Sequence, residues 1–133
     1  MAHILLIEPD RILADVCRLG LESCGHRVVM CASAQSAIFA ADTQQPDLVI
    51  LELQLIEHSG IEFLYEFRSY PEWQNIPVLI HSNVPSQEFA SSLQTLKAQL
   101  GVEEYQYKPT TSLRTLLQTV NQQLNVQPLP KAP

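Results

Sequence analysis

The sequence predicts a doubly wound α/β domain, a single parallel five-stranded sheet with helices on both faces. Three observations carry that expectation. Five short apolar runs rich in β-branched residues alternate strictly with five amphipathic stretches. Such βα alternation requires a parallel sheet joined by right-handed crossovers. The third run, Asp47-Leu48-Val49-Ile50-Leu51, is almost continuously apolar, the pattern of a strand buried on both faces. The 133 residues supply one hydrophobic core of ordinary domain size, and no internal repeat or second domain is visible.

Each element has its own signal. His3–Ile7 reads as the first strand. Over Asp10–Cys24 the positions Leu13, Val16, Cys17, Gly20, Leu21 and Cys24 recur at helical spacing, with Asp10 placed as N-cap and Gly25 as the C-terminal stop. His26–Cys31 is the second strand. Ser33 caps a helix to about Thr43 that turns Ala37, Ile38 and Ala41 inward. After the third strand, Gly60 opens a helix carrying Ile61, Leu64 and Tyr65. Ile76–Ile80 is the fourth strand, with Pro77 at its mouth, where a missing amide costs little.

The next segment, Ser86–Leu100, keeps apolar spacing through Phe89, Leu93, Leu96 and Leu100 and predicts one long helix ended by Gly101. Val102–Tyr107 is the fifth strand. Ser112 to about Leu124 is the last helix, with Leu113, Leu116, Leu117, Val120 and Leu124 on one face. These elements make residues 1–124 the folded domain. The remainder, 125–133, contains three prolines without periodicity and reads as a flexible tail, a polyproline partner segment being the other use of such a sequence.

Composition excludes several functions. The net charge of −6 and the scatter of the eight basic residues argue against a nucleic-acid surface and for protein partners. No apolar run approaches the roughly 20 residues of a membrane helix. Met1-Ala2 leads straight into a strand-like run, so no signal peptide is expected and the predicted setting is cytoplasmic. Cys17, Cys24 and Cys31 are odd in number and lack metal spacing, which predicts free thiols in a reducing compartment. His3, His26, His58 and His81 share no spacing that suggests a metal or a phosphorylated histidine.

In a parallel sheet, function gathers at the carboxyl ends of the strands beside the topological switch point. The residues just past those ends are Glu8-Pro9-Asp10, Glu52, Ser82-Asn83 and Lys108-Pro109. Carboxylates, a hydroxyl and a lysine would therefore converge. Each also has a plainer reading: Glu8 and Glu52 as solvated acids, Asp10 as a helix cap, Ser82 as the cap of the turn before Pro85. Simple packing would likewise account for Tyr105 in an edge-type strand.

This combination, in this order, resembles the receiver domain of two-component response regulators over about residues 3–124. The resembling pieces are Ile4-Leu5-Leu6-Ile7-Glu8, Gly60 eight residues after Glu52, Ile76–Ser82, and Tyr105 three residues before Lys108-Pro109. The resemblance implies a flavodoxin-like, CheY-like three-layer (βα)5 sandwich of strand order 2-1-3-4-5. It implies a phosphorylation pocket at Glu8, Pro9, Glu52, Gln54, Ser82 and Lys108, with Ser82 and Tyr105 as switch residues. Family members move a phosphoryl group from a histidine kinase to an aspartate, using Mg²⁺ held by acids and by a backbone carbonyl.

Three departures stand out. Glu52 replaces the acceptor aspartate, Pro9 replaces a metal-ligand acid, and Ile56 replaces a proline four residues past the acceptor. The expectation is a pseudo-receiver: not an enzyme, with no cofactor or metal, acting through protein contacts with a histidine kinase or a downstream effector. The alternative is a phosphorylation-competent single-domain receiver in a phosphorelay that uses Mg²⁺. A flavin binder is disfavoured by the acids of the first loop, where flavin phosphate needs a Ser/Thr/Gly-rich turn. An extended fourth helix would reshape the face of helix four, strand five and helix five, through which a homodimer would form.

Overall fold

The computed structural model describes residues 2–89 and 91–125. Five parallel strands, β1 (His3–Ile7), β2 (Arg27–Cys31), β3 (Leu48–Leu51), β4 (Val78–Ser82) and β5 (Val102–Tyr107), form one sheet in the order 2-1-3-4-5. The helices are α1 (Arg11–Ser23), α2 (Ala34–Thr43), α3 (Gly60–Ser69), α4 (Leu93–Ala98) and α5 (Leu113–Gln123). The alternation predicts the parallel sheet, and the resemblance implies this flavodoxin-like strand order. The tail reading for 126–133 lies outside the described residues.

Side-chain alternation divides the central strands between two cores. Leu5, Ile7, Val49, Leu51, Val78 and Ile80 pack towards α2, α3 and α4. Ile4, Leu6, Leu48, Ile50 and Leu79 pack towards α1 and α5. β1, β3 and β4 are buried along their whole length, which is why they read as continuous apolar runs. The edge strand β5 instead exposes Glu103 and Glu104, charges that discourage edge-to-edge pairing.

The caps follow the sequence closely. Asp10 accepts from the amides of Ile12 and Leu13, Ser33 closes a capping box with Ser36, and Ser59 and Ser112 cap α3 and α5. Gly25 has φ +88°, the left-handed geometry expected after a helix end.

Two expectations are corrected. Ser86–Leu100 is not one helix. A 3-10 turn covers Ser86–Phe89, and α4 is only six residues long. Ser91 and Ser92 favour turns over helix interiors, and Ser92 starts α4 without a side-chain capping bond. Phe89 meanwhile packs on Tyr105, ring centroids 6.3 Å apart. The extended fourth helix is therefore absent. The second correction concerns Val16, which is exposed rather than core. With Ile12 and Leu19 it forms an apolar stripe along the outer side of α1.

A buried clamp that the sequence does not announce ties α3 to the far end of the sheet. The Arg68 guanidinium donates to the carbonyls of Trp73 (2.6 Å), Leu100 (2.8 Å) and Gly101 (3.1 Å). A Cβ at Gly101 would come within 2.8 Å of that guanidinium, and its φ is +64°, so both space and backbone demand glycine.

Candidate functional site

Strand register assembles the site. Ile7 is level with Leu51, Leu51 with Ile80, and Ser82 with Tyr107. The residues one step beyond the strands, Glu8, Glu52 and Lys108, therefore leave the sheet at one edge. β3 and β5 are separated by β4, so roughly 10 Å lies between their backbones. Only a long side chain crosses that gap, and Lys108 does so.

Gly60 brings the backbone in close behind Glu52. Its amide donates to the Leu53 carbonyl at 2.8 Å. A Cβ there would lie 2.8 Å from both the Glu52 carbonyl oxygen and the Leu53 Cα. Between them, Gln54 and Ser59 form an antiparallel bridge, with Glu57 at φ +72° in the turn.

Glu52 is 2% exposed, and both of its carboxylate oxygens are occupied. Oε1 accepts from the Lys108 ammonium at 2.6 Å and from the Asn83 amide at 3.2 Å. Oε2 accepts from the Ser82 hydroxyl and from the Gln54 amide at 3.1 Å. Lys108 also pairs with Glu8, whose other oxygen accepts from the Asp10 amide at 3.1 Å. Two carboxylates and one ammonium leave a local charge of −1.

The two acids are tuned in opposite directions. Burial raises the Glu8 carboxyl, and its bonds to Lys108 and the Asp10 amide do not offset that. Burial acts the same way on Glu52, but Lys108, Ser82 and the Gln54 amide outweigh it and hold that carboxyl below its ordinary value. Lys108 is desolvated, yet Glu52 and Glu8 raise its affinity for the proton.

The polar chain continues outward. The Ser82 hydroxyl also accepts from the Val84 amide at 3.0 Å, and the Val84 carbonyl accepts from the Tyr105 hydroxyl at 2.5 Å. Ser82 thus acts both as a turn cap and as a partner of Glu52. Tyr105 is half-buried against the loop after β4, and burial together with the Glu52 charge pushes its hydroxyl up to about 12.

Glu8, Glu52, Ser82 and Lys108 are all brought together. Gln54 contributes its backbone amide while its side chain is exposed, and Pro9 sits in the loop with no polar side chain to offer. Sequence reasoning did not single out the Asn83 amide, which is set by loop geometry. His81, whose spacing suggests neither a metal ligand nor a phosphorylated histidine, is buried beneath the cluster among Cys17, Leu13 and Leu116. Desolvation and the nearby Lys108 push the His81 ring down to about 4. His58 pairs with Glu62 at 3.0 Å on the surface rather than joining the cluster.

Among the described residues no group of His, Cys, Asp and Glu has a metal-binding arrangement, and no helix is long and apolar enough to cross a membrane. Cys17, Cys24 and Cys31 are free thiols.

Known proteins share both the fold and the sequence pattern. The chain is 32% identical over 109 residues to the KDP operon transcriptional regulatory protein KdpE of Escherichia coli, covering 82% of this chain and 45% of that protein. It is 26% identical over 106 residues to the alkaline phosphatase synthesis transcriptional regulatory protein PhoP of Bacillus subtilis, covering 80% and 42%. The chain thus spans less than half the length of these curated relatives.

Among solved structures, the CheY-like receiver domain protein of Methanospirillum hungatei superposes with a TM-score of 0.82 at 20% identity, covering 94% of each chain. The non-phosphorylated HemR receiver domain of Leptospira biflexa gives 0.80 at 22% identity, covering 98% of this chain and all of that one. Residues 4–121 match the family described as the response regulator receiver domain, and the chain belongs to that family.

Proposed function

We propose that this receiver domain works in signal transduction by protein–protein contact, without accepting a phosphoryl group. The observation that carries this reading is the closed donor set around Glu52. An acceptor carboxylate needs a free oxygen with room for in-line attack, and here each oxygen already has two donors. Glutamate also reaches roughly 1.5 Å further than aspartate. Misplacement by about 1 Å costs on the order of a hundredfold in an oriented reaction.

The residues present do not fit Mg²⁺ either. Phosphoryl transfer relies on a cation to neutralise developing charge. Here the Lys108 ammonium already lies between the two carboxylates, and Pro9 offers no side-chain oxygen. Binding a divalent ion would require displacing a buried lysine from both of its partners.

The donors around Glu52, namely lysine, hydroxyl and two backbone amides, form the environment that an anionic group on the acceptor would need. Glu52 stands in for that anion permanently. Ser82 is drawn onto it, and Tyr105 is fixed on the adjoining loop. The domain therefore holds one constitutive, active-like arrangement and presents it to a partner, either a histidine kinase or a downstream effector.

The test is intact mass after incubation with acetyl phosphate and millimolar Mg²⁺. The wild-type chain should gain no phosphoryl mass, while the Pro9→Asp/Glu52→Asp double variant should gain one. A phosphoryl group on wild-type Glu52 would establish the phosphorelay alternative instead. Metal binding is better read by calorimetry than by Trp73 fluorescence. Trp73 sits at the opposite end of the sheet, where its backbone carbonyl accepts from Arg68.

A further inference from the structure

We propose that the groove between α2 and α3 is a docking site for a basic, amphipathic helical segment of a partner protein. None of its lining residues belongs to the Glu52 cluster, and it does not depend on whether that cluster accepts phosphate. The groove encloses about 720 Å³ and runs from Ala34 and His58, at the starts of the two helices, to Asp42, Tyr70 and Trp73 near their ends. Each helix has ten residues, so the groove is roughly 15 Å long, about three turns of a helix.

Its floor is apolar. Phe63 and Trp73 are almost fully buried, and Trp73 stacks on Phe67 at 5.1 Å and lies against Tyr70 at 4.6 Å. On one side Phe39 is 75% exposed, a large apolar side chain with nothing described covering it. The rim is acidic: Asp42, Glu62 and Glu66 line the groove, and among the described residues no lysine or arginine does. Glu62 pairs only with His58, and among the described residues neither Asp42 nor Glu66 has an ion-pair partner.

The choice of occupant rests on charge and spacing. Glu62 and Glu66 are one helical turn apart, the spacing at which lysine or arginine side chains repeat along one side of an amphipathic helix. Apolar anchors from such a helix would settle on Phe39, Ile38 and the Trp73 floor while its cations meet the acids. An open channel of this length suits a segment with distributed charges better than a compact small molecule, which a deeper pocket would enclose.

The experiment uses the full chain labelled with ¹⁵N and titrated with a synthetic Leu/Lys amphipathic helical peptide, with a Leu/Glu peptide of the same pattern as control. The Trp73 indole and the amides of α2 and α3 should shift with the Leu/Lys peptide alone. Asp42→Lys/Glu66→Lys, at two exposed positions, should weaken binding at least tenfold, and Phe39→Ser should weaken it too, all with unchanged circular dichroism. No shift at the groove, or equal affinity in the charge-reversed variant, overturns the proposal. So does an equal response to tetramethylammonium, which would make the groove a small-cation site. Concentration-dependent self-association through the same residues would overturn it in favour of a second copy of the chain.

Discussion

Two buried cations anchor opposite ends of this sheet, and they are balanced in different ways. At the carboxyl ends of the strands, the Lys108 side chain is 7% exposed and sits between the carboxylates of Glu8 and Glu52. At the other end, Arg68 is 9% exposed and is held by three backbone carbonyls. Carbonyls are fixed dipoles, whereas carboxylates carry full charges that can be neutralised by a proton. The Arg68 clamp is thus a pH-insensitive staple. The Lys108 cluster is an electrostatic balance linked through Ser82 and the Val84 backbone to the Tyr105 hydroxyl. Stability resides in both, but only the second belongs to the proposed signalling site.

The largest expected effect comes from breaking the balance. Lys108→Met leaves two buried carboxylates facing each other and should cost about 4 kcal/mol at pH 7 in urea unfolding. Both acids would then have raised pKa values, a condition that disfavours the folded state increasingly as pH rises. The deficit relative to wild type should therefore shrink between pH 7 and pH 5. A deficit independent of pH would show that the cluster is not balanced by charge.

Arg68→Met should cost about 3 kcal/mol, because three carbonyls lose a charged donor. Its deficit should stay nearly constant over the same pH range, since among the described residues carbonyls hold the guanidinium and no carboxylate lies within ion-pair distance, Glu103 acting only from further off. Convergence of the two pH profiles would erase the distinction between staple and balance.

His81 tests the dielectric beneath the cluster. Its ring is buried neutral, with the ordinary value of 6.5 lowered to about 4, so its contribution is complete above pH 6.5 and fades as pH falls towards 4. Wild type should lose about 2 kcal/mol between pH 7.5 and pH 5 from this group, and His81→Phe should remove that part of the slope. Glu52, held below its ordinary value, adds a loss only at lower pH, as acidification passes through its folded-state value. Glu8 is raised and acts in the opposite sense, in the window above its ordinary value rather than below it.

The smallest effect should come from Ser82→Ala, at about 1 kcal/mol. Its more informative readout is the Tyr105 ring. With the Val84 amide released from Ser82, the anchor of the Tyr105 hydroxyl should loosen, seen as faster hydrogen exchange at Val84 and averaged Tyr105 resonances. An unchanged Tyr105 would separate the tyrosine from the cluster.

Much of this was legible in the residues themselves. Strand and helix order, the caps at Asp10 and Ser33, and the gathering of Glu8, Glu52, Ser82 and Lys108 follow from local pattern and from parallel topology. Legibility failed where a side chain's fate depends on distant neighbours. Val16 matches the helical apolar period but points to the outer side of α1, because period alone does not set how wide the buried stripe is. The long helix over Ser86–Leu100 had the right spacing, yet weak propensity at Ser91 and Ser92 combined with the pull of Phe89 onto Tyr105 to divide it.

The sequence by itself determined the parallel sheet and which residues stand at its carboxyl edge, since period, capping and crossover handedness act locally and admit few topologies; the strand order came from the resemblance to receiver domains. Tertiary structure decided what those residues do to one another. No pattern in the chain says that Lys108 reaches across β4 to two acids, that the Asn83 and Gln54 amides close on Glu52, or that Arg68 turns inward onto carbonyls. Those outcomes depend on contacts between residues tens of positions apart, where burial strips away water and makes each charge find its partner within the protein.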